Sequence, residues 1–307
     1  MQHRDALVIG AGPAGLAVGI YLARYGLETI IFEEKVLGGY AAEIPFLENF
    51  PGYGEGITGK DLVDKMVRQC KEAGADIHQF ERVKGLNFEG KKPIVKTEKS
   101  DYSAEAVIIA SGRDTKVLGV PGEDQFRGKG VSYCAVCDGV FFKEKKVIVV
   151  GEDRRAAEVA IFLSGIASDV KLICGKKELC AEKVLIEDME KQKVEVLSNT
   201  ELKEIKGDIT VKSVVLMNKG TQDIKEIDAD GIFFQLEGIP SSQIARESGV
   251  RVDEDGYILV DNRGRTNIDR VYAIGDITSH PTKLVLLAVS QAAAAALDVL
   301  DHIHRHI

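Results

Sequence analysis

Tryptophan is absent from the 307-residue chain and aromatic residues make up only 6% of it. That leaves little material for the ring platforms on which single-stranded nucleic acids stack. Positive charge is not in excess either: 40 Lys and Arg stand against 48 Asp and Glu, a formal net charge of −8, where a nucleic-acid binder carries a basic face. Five cysteines are few for this length and odd in number. They argue against a structural disulphide framework, so a close pair points instead to redox or metal chemistry. Long hydrophobic runs are also missing. Residues 147–151 and 284–300 are too short, or too interrupted by polar groups, to span a bilayer. Residues 1–5 run straight into a strand-like segment with no charged and apolar leader. The expectation is a cytoplasmic protein with neither a nucleic-acid nor a membrane partner.

Hydrophobic residues at 45% and charged residues at 29% are ordinary for a chain with a sizeable core. The length is about twice a typical domain of ~150 residues. A short apolar run at residues 6–9, a glycine turn at 10–15, helical periodicity at 16–25 and an apolar run at 29–32 read as strand, turn, helix, strand. The same order recurs at residues 147–151, 156–164 and 170–173. The fold class is therefore α/β, with two Rossmann-like dinucleotide-binding domains, the second inserted into the first. Glycine- and proline-bearing stretches place the boundaries at 1–114, 115–241 and 242–307. Cys70 shares a helical face with Val63, Val67 and Gly74 and reads as core.

The turn Gly10-Ala11-Gly12-Pro13-Ala14-Gly15 follows a strand and opens a helix, the context in which GxGxxG signals a dinucleotide. Gly10 makes the tight turn, Gly12 lets backbone approach a pyrophosphate, and Gly15 permits close helix–strand packing. Free N–H groups and the helix dipole then face the phosphates. Glu33 lies 18 residues after Gly15, close to the ~20 expected for an acid on the ribose. Further on, Cys134-Ala135-Val136-Cys137 precedes Asp138. Two thiols so spaced can close a small disulphide ring. Zinc would need two more ligands, and beyond Cys70 only Cys174 and Cys180 remain, with no His beside them. Redox is the stronger reading.

Taken in order, residues 10–15, Glu33, Gly38-Gly39, Glu48-Asn49-Phe50-Pro51-Gly52, Ala110-Ser111-Gly112, residues 134–138 and Ala273-Ile274-Gly275-Asp276 resemble the low-molecular-weight thioredoxin reductases, FAD-dependent disulphide oxidoreductases. The resemblance covers nearly the whole chain. It implies a homodimer, an FAD domain built from both ends of the chain, and an inserted domain that carries the CxxC and normally binds NADPH. By position, Gly10, Gly12, Pro13, Ala14 and Gly15 would hold the FAD pyrophosphate, Glu33 the adenosine ribose, and Val83 the adenine edge. Gly39, Tyr40, Asn49, Ala110, Ser111 and Gly112 would line the flavin side. Asp276 would bond the ribityl or phosphate region, and Gly275, Lys283, Leu284 and Val285 would complete the cofactor contacts, Lys283 placing positive charge near the ring. Cys137 would be the thiol next to the flavin, Cys134 the thiol that attacks the partner disulphide, and Asp138 the acid–base group.

Two departures from that pattern concern the electron donor. The second fingerprint reads Gly151-Glu152-Asp153-Arg154-Arg155-Ala156, with Asp153 where a glycine should approach the pyrophosphate. The stretch expected to grip a 2′-phosphate, residues 174–180, has Lys176 and Lys177 but no His or Arg. NADPH is therefore expected to be a poor donor, and reduced ferredoxin or a reduced deazaflavin a better one. Arg154, Arg155, Lys176 and Lys177 offer a basic patch for an acidic donor, or simply a solvated edge. The partner would be a thioredoxin or a glutaredoxin-like protein. The alternatives are an ordinary NAD(P)H-dependent reductase and a flavin–disulphide redox sensor without turnover; a flavoprotein oxidase would not need the two thiols. His302, His304 and His306 read as a solvated terminus, and no metal is expected.

Overall fold

A computed structural model describes residues 1–305. In chain order they form β1 (Gln2–Ile9), α1 (Pro13–Arg24), β2 (Thr29–Glu33), α2 (Gly59–Glu72), β3 (Asp76–Gln79), β4 (Val83–Asn87), β5 (Ile94–Thr97), β6 (Asp101–Ile109) and β7 (Arg113–Asp114). Next come β8 (Val131–Ser132), α3 (Ala135–Asp138), β9 (Lys146–Gly151), α4 (Arg154–Ser164), β10 (Asp169–Ile173), α5 (Lys183–Lys191) and β11 (Glu195–Leu197). The chain closes with β12 (Thr200–Gly207), β13 (Val211–Asn218), β14 (Ile224–Asp228), β15 (Gly231–Gln235), β16 (Ile239–Pro240), α6 (Gln243–Glu247), β17 (Val271–Ala273) and α7 (Val285–Arg305).

The first of two units comprises Met1–Ala42, Leu47–Asp114 and the chain from Ile239 onward. Its sheet runs β3-β2-β1-β6-β5-β4, with β17 also paired to β6. Strands β3, β2, β1, β6 and β17 are parallel, and the antiparallel pair β4–β5 extends the edge. Strand β1 carries Ala6, Leu7 and Val8 without exposure, the continuous apolar run of a strand covered on both faces. Helix α2 starts at Thr58, whose hydroxyl accepts the Asp61 N–H, a side-chain cap for one of the helix's orphan donors. Cys70 is fully buried on its inner face, and burial pushes the thiol up to about 11.

The second unit comprises Thr115–Gly238 together with Glu43–Phe46. A parallel sheet runs β11-β10-β9-β15-β8, and β12-β13-β14 form an antiparallel sheet. Val147, Val149, Ala157, Ala160 and Leu163 pack with Leu172 and Phe233 in its core. The chain rejoins the first unit at Ile239, where β16 pairs antiparallel with β7.

The alanine-rich end also differs from expectation. Residues 284–300 were too broken to read as a span, yet the helix runs on, and Val285–His304 is long and apolar enough by length and composition alone. Ala292, Ala295, Ala296 and Val299 on it have no exposure. The helix buries this face in the first unit and leaves Leu286 and Leu297 exposed.

Candidate functional site

In the first unit the glycine turn sits at the carboxyl end of β1. Gly10 has φ +102°, and a Cβ there would stand 2.4 Å from the Ala110 carbonyl oxygen; one on Gly15 would stand 1.9 Å from the Gly10 oxygen. Both positions need glycine on steric grounds. Gly12 is different. A Cβ on it meets nothing within 4 Å, and as the residue before α1 it supplies no side-chain cap. The first N–H groups of α1 therefore open onto space, with Pro13 at the first helical position, the arrangement a pyrophosphate fits. Glu33 Oε2 accepts the Ala11 N–H at 2.9 Å and Oε1 the Lys35 N–H at 2.8 Å, so the carboxylate is fixed beside the turn. The residues fit FAD.

The other expected cofactor residues lie around this opening to different degrees. Gly38 donates its N–H to the Ala11 oxygen, and a Cβ on Gly39 would stand 3.8 Å from Gly12 Cα, which brings Tyr40 to the same edge. Ala110, Ser111 and Gly112 follow β6 directly against Gly10. Gly275, at φ +78°, brings its Cα so near α1 that a Cβ would stand 2.8 Å from that of Ala14. Val83 is buried at the start of β4, while Asn49 and Leu284 are exposed and Val285 opens α7. The Lys283 ammonium donates to the Thr278 oxygen and lies 4.0 Å from the Tyr257 ring centroid. Two residues escaped the sequence reading. Gln291 Oε1 accepts the Gly275 N–H at 2.7 Å, and Arg113 holds Asp276 through Nε and Nη2 at 3.2 and 3.0 Å. Arg113 directly follows a motif glycine, its one signal in the sequence.

In the second unit Cys134 and Cys137 form a disulphide, with their Cα atoms 5.3 Å apart. Cys137 is exposed and Cys134 half-buried. Cys134 Sγ accepts the Cys137 N–H at 3.2 Å, a contact that favours a thiolate there once the bond is opened. Ser132, buried on β8, donates its hydroxyl to Asp138 Oδ2 at 2.6 Å and accepts the Cys134 N–H at 3.1 Å. The sequence reading missed Ser132; it fixes Asp138 and the first cysteine relative to one another. Just beyond, Val140 and Phe141 are exposed.

A disulphide on a short helix and an open glycine turn occur here in one chain, and residues 4–293 match the model of the pyridine nucleotide-disulphide oxidoreductases. The chain belongs to that family. It is similar to a thioredoxin reductase of Mycolicibacterium smegmatis, 37% identical over 296 residues that cover 96% of this chain and 94% of the relative. A 34.2 kDa protein in the rubredoxin operon of Clostridium pasteurianum is 34% identical, over 96% of each. The crystal structure of Lactococcus lactis thioredoxin reductase matches with a TM-score of 0.94 at 32% identity, over 98% of this chain and 99% of that one. The protein is an FAD-dependent disulphide oxidoreductase, and Cys134–Cys137 is its redox disulphide.

The second glycine turn differs from the first. Asp153 precedes α4, and its Oδ1 accepts the Ala156 N–H at 3.2 Å, so a donor that is open at α1 is taken at α4. Residues 178–181 lie across the turn: the Cys180 N–H donates to the Glu152 oxygen, and Asp153 and Cys180 form a bridge. A Cβ on Gly175 would stand 2.5 Å from a Glu152 carboxylate oxygen. Gln235, only 3% exposed, ends β15 beside Gly151. The expected basic patch is largely neutralised. Arg154 binds Glu158 and Glu182, Arg155 binds Glu43, and Lys176 pairs with Glu152. Cys174 is buried, which pushes its thiol up, and Cys180 is exposed. Among the described residues no group of three or more His, Cys, Asp or Glu could hold a metal ion. His306 lies outside those residues.

Proposed function

We propose that this family member passes electrons through FAD and the Cys134–Cys137 pair to the disulphide of a thioredoxin or glutaredoxin-like protein, and that NADPH is a poor source of those electrons. The contrast between the two helix starts carries the second part. At α1 the start is bare glycine facing open space; at α4 it is capped by the protein's own carboxylate and crossed by residues 178–181. Reduced ferredoxin, one electron at a time, or a reduced deazaflavin would then serve as donor. With three cations of the second unit's basic patch already paired, that patch gives ferredoxin no ready dock, so deazaflavin is the simpler reading. The protein acts in the cytosol, as a homodimer.

Bound FAD would supply the two electrons that open the Cys134–Cys137 bond. Cys134, as thiolate, then attacks one sulphur of the partner disulphide and the other leaves. Cys137 attacks the mixed disulphide, restoring the intramolecular bond and releasing the partner as a dithiol. Two electrons and two protons reach the partner in total. Asp138, held by Ser132, is placed to deliver a proton to a departing sulphur. Val140 and Phe141 give the partner an apolar contact beside the thiols. Anaerobic reduction of the bound flavin by each donor in turn, followed by thiol release from thioredoxin, tests the reading. Rapid reduction by micromolar NADPH would return the protein to the ordinary type of reductase. Flavin reduction without thiol release would make it a sensor.

A further inference from the structure

We propose that Arg113 is an additional FAD-binding residue, which supplies the positive charge facing the cofactor's diphosphate and is aimed there by Asp276. The proposal rests on FAD occupying the first glycine turn. Three chain segments meet at the open start of α1. The exit of β6 touches Gly10, since a Cβ on that glycine would stand 2.4 Å from the Ala110 oxygen and 3.1 Å from Ser111 Cα. The exit of β17 touches Ala14 through Gly275. The turn at Gly39 faces Gly12. Each segment carries one side chain of a single cluster: Arg113 two residues after Ser111, Asp276 after Gly275, Tyr40 after Gly39.

The side chains meet. Arg113 Nε and Nη2 both donate to Asp276 Oδ2, at 3.2 and 3.0 Å, and the guanidinium carbon lies 5.9 Å from the Tyr40 ring centroid. The Arg113 side chain is 16% exposed, so its rotamers are already restricted and little order remains to be imposed on binding. Both bonds use one carboxylate oxygen and two of the three guanidinium nitrogens. Among the described residues no hydrogen bond engages Nη1, which is left for an oxyanion. The charges also require a cation here. A diphosphate arriving near the Asp276 carboxylate would be repelled unless that charge is neutralised in place, and Arg113 does so while keeping a donor to spare.

The test is FAD binding to apoprotein, followed by flavin fluorescence at several salt concentrations, with riboflavin as the diphosphate-free probe. Arg113→Ala should raise the FAD dissociation constant on the order of 10- to 100-fold, as for loss of one charge-assisted hydrogen bond. It should flatten the salt dependence and leave weak riboflavin binding unchanged. Arg113→Lys, which keeps the charge without the fork, should recover part of the affinity and the salt dependence. Unchanged FAD affinity in Arg113→Ala would overturn the proposal, as would equal losses for FAD and riboflavin, or an Arg113→Lys variant no better than Arg113→Ala. If the wild-type apoprotein itself takes up no FAD, the cofactor assignment fails and not merely the role of Arg113.

Discussion

Replacing Asp153 with glycine should make this protein measurably better at binding NADPH without making it good. The carboxylate now accepts the Ala156 N–H at 3.2 Å, a donor that a pyrophosphate at α4 would need. A nucleotide must either displace that cap or sit against it. Two unit charges ~4 Å apart cost ~1 kcal/mol in water and ~4 kcal/mol at an effective dielectric of ~20. Removing the carboxylate should therefore tighten NADPH binding about 10- to 1000-fold. The missing grip on a 2′-phosphate remains, at ~1.5–3 kcal/mol for each absent charge-assisted bond. Lys176, paired with Glu152, does not replace it. Exchanging a capping Asp for Gly costs only a few tenths of a kcal/mol, so the variant stays folded and the effect can be read cleanly. Stopped-flow bleaching of the flavin under argon, across NADPH concentrations, measures it. A wild-type flavin bleached rapidly by micromolar NADPH would refute the argument, and so would an Asp153→Gly variant with unchanged NADPH affinity.

The remaining expectations address the two sites and the fold separately. Gly12→Val should abolish FAD uptake yet shift the apoprotein's thermal midpoint little, because a Cβ there meets nothing within 4 Å; absorbance at the flavin bands after incubation with FAD gives the answer, and a yellow variant would contradict the cradle. Cys137→Ser should trap a mixed disulphide with thioredoxin through Cys134, whereas Cys134→Ser should trap none, and non-reducing gels would expose a reversed order. Asp298 is buried and accepts from Arg263, Arg265 and Tyr272, which holds its carboxyl down at about 2 against an ordinary 3.8. Because the folded-state value is depressed, the contribution of about 2 kcal/mol is fully present above pH ~4 and fades as pH falls toward 2. Asp298→Asn should lower stability at pH 7 by at least that amount and flatten this part of the denaturation-against-pH curve.

The first dinucleotide unit was legible because each of its motif residues answers a local steric demand. Gly10 and Gly15 have no room for a Cβ, and Glu33 sits at the end of its strand, where backbone N–H groups fix its carboxylate. Such demands act over a few residues, so a short pattern encodes them. Cys134 and Cys137 were legible for the same reason. What escaped is contact between segments far apart in sequence. Arg113 meets Asp276 across 163 positions, Gln291 reaches back to Gly275, and Lys283 turns to Tyr257. Spacing along the chain does not encode such pairings. The basic patch failed on the same ground: Arg154, Arg155 and Lys176 were visible in the sequence, while the carboxylates that neutralise them, apart from Glu158 one turn along α4, come from other segments.

The second unit's parallel sheet does more than carry the glycine turn at the start of α4. Its redox pair depends on that sheet. Ser132, which fixes Asp138 and Cys134, lies on β8, an edge strand held by β15 through two residue pairs, Ile232 with Val131 and Phe233 with Ser132. Strand β15 is held in turn by β9, the strand that leads into the altered turn. Loosening β9 or β15 would therefore release Ser132, and with it the placement of the acid–base group, whether or not a nucleotide ever binds. The glycine turn can be rewritten at Asp153 because a capping carboxylate satisfies the α4 start without ligand. The strands beneath it cannot, because their apolar side chains form the core on which the dithiol stands.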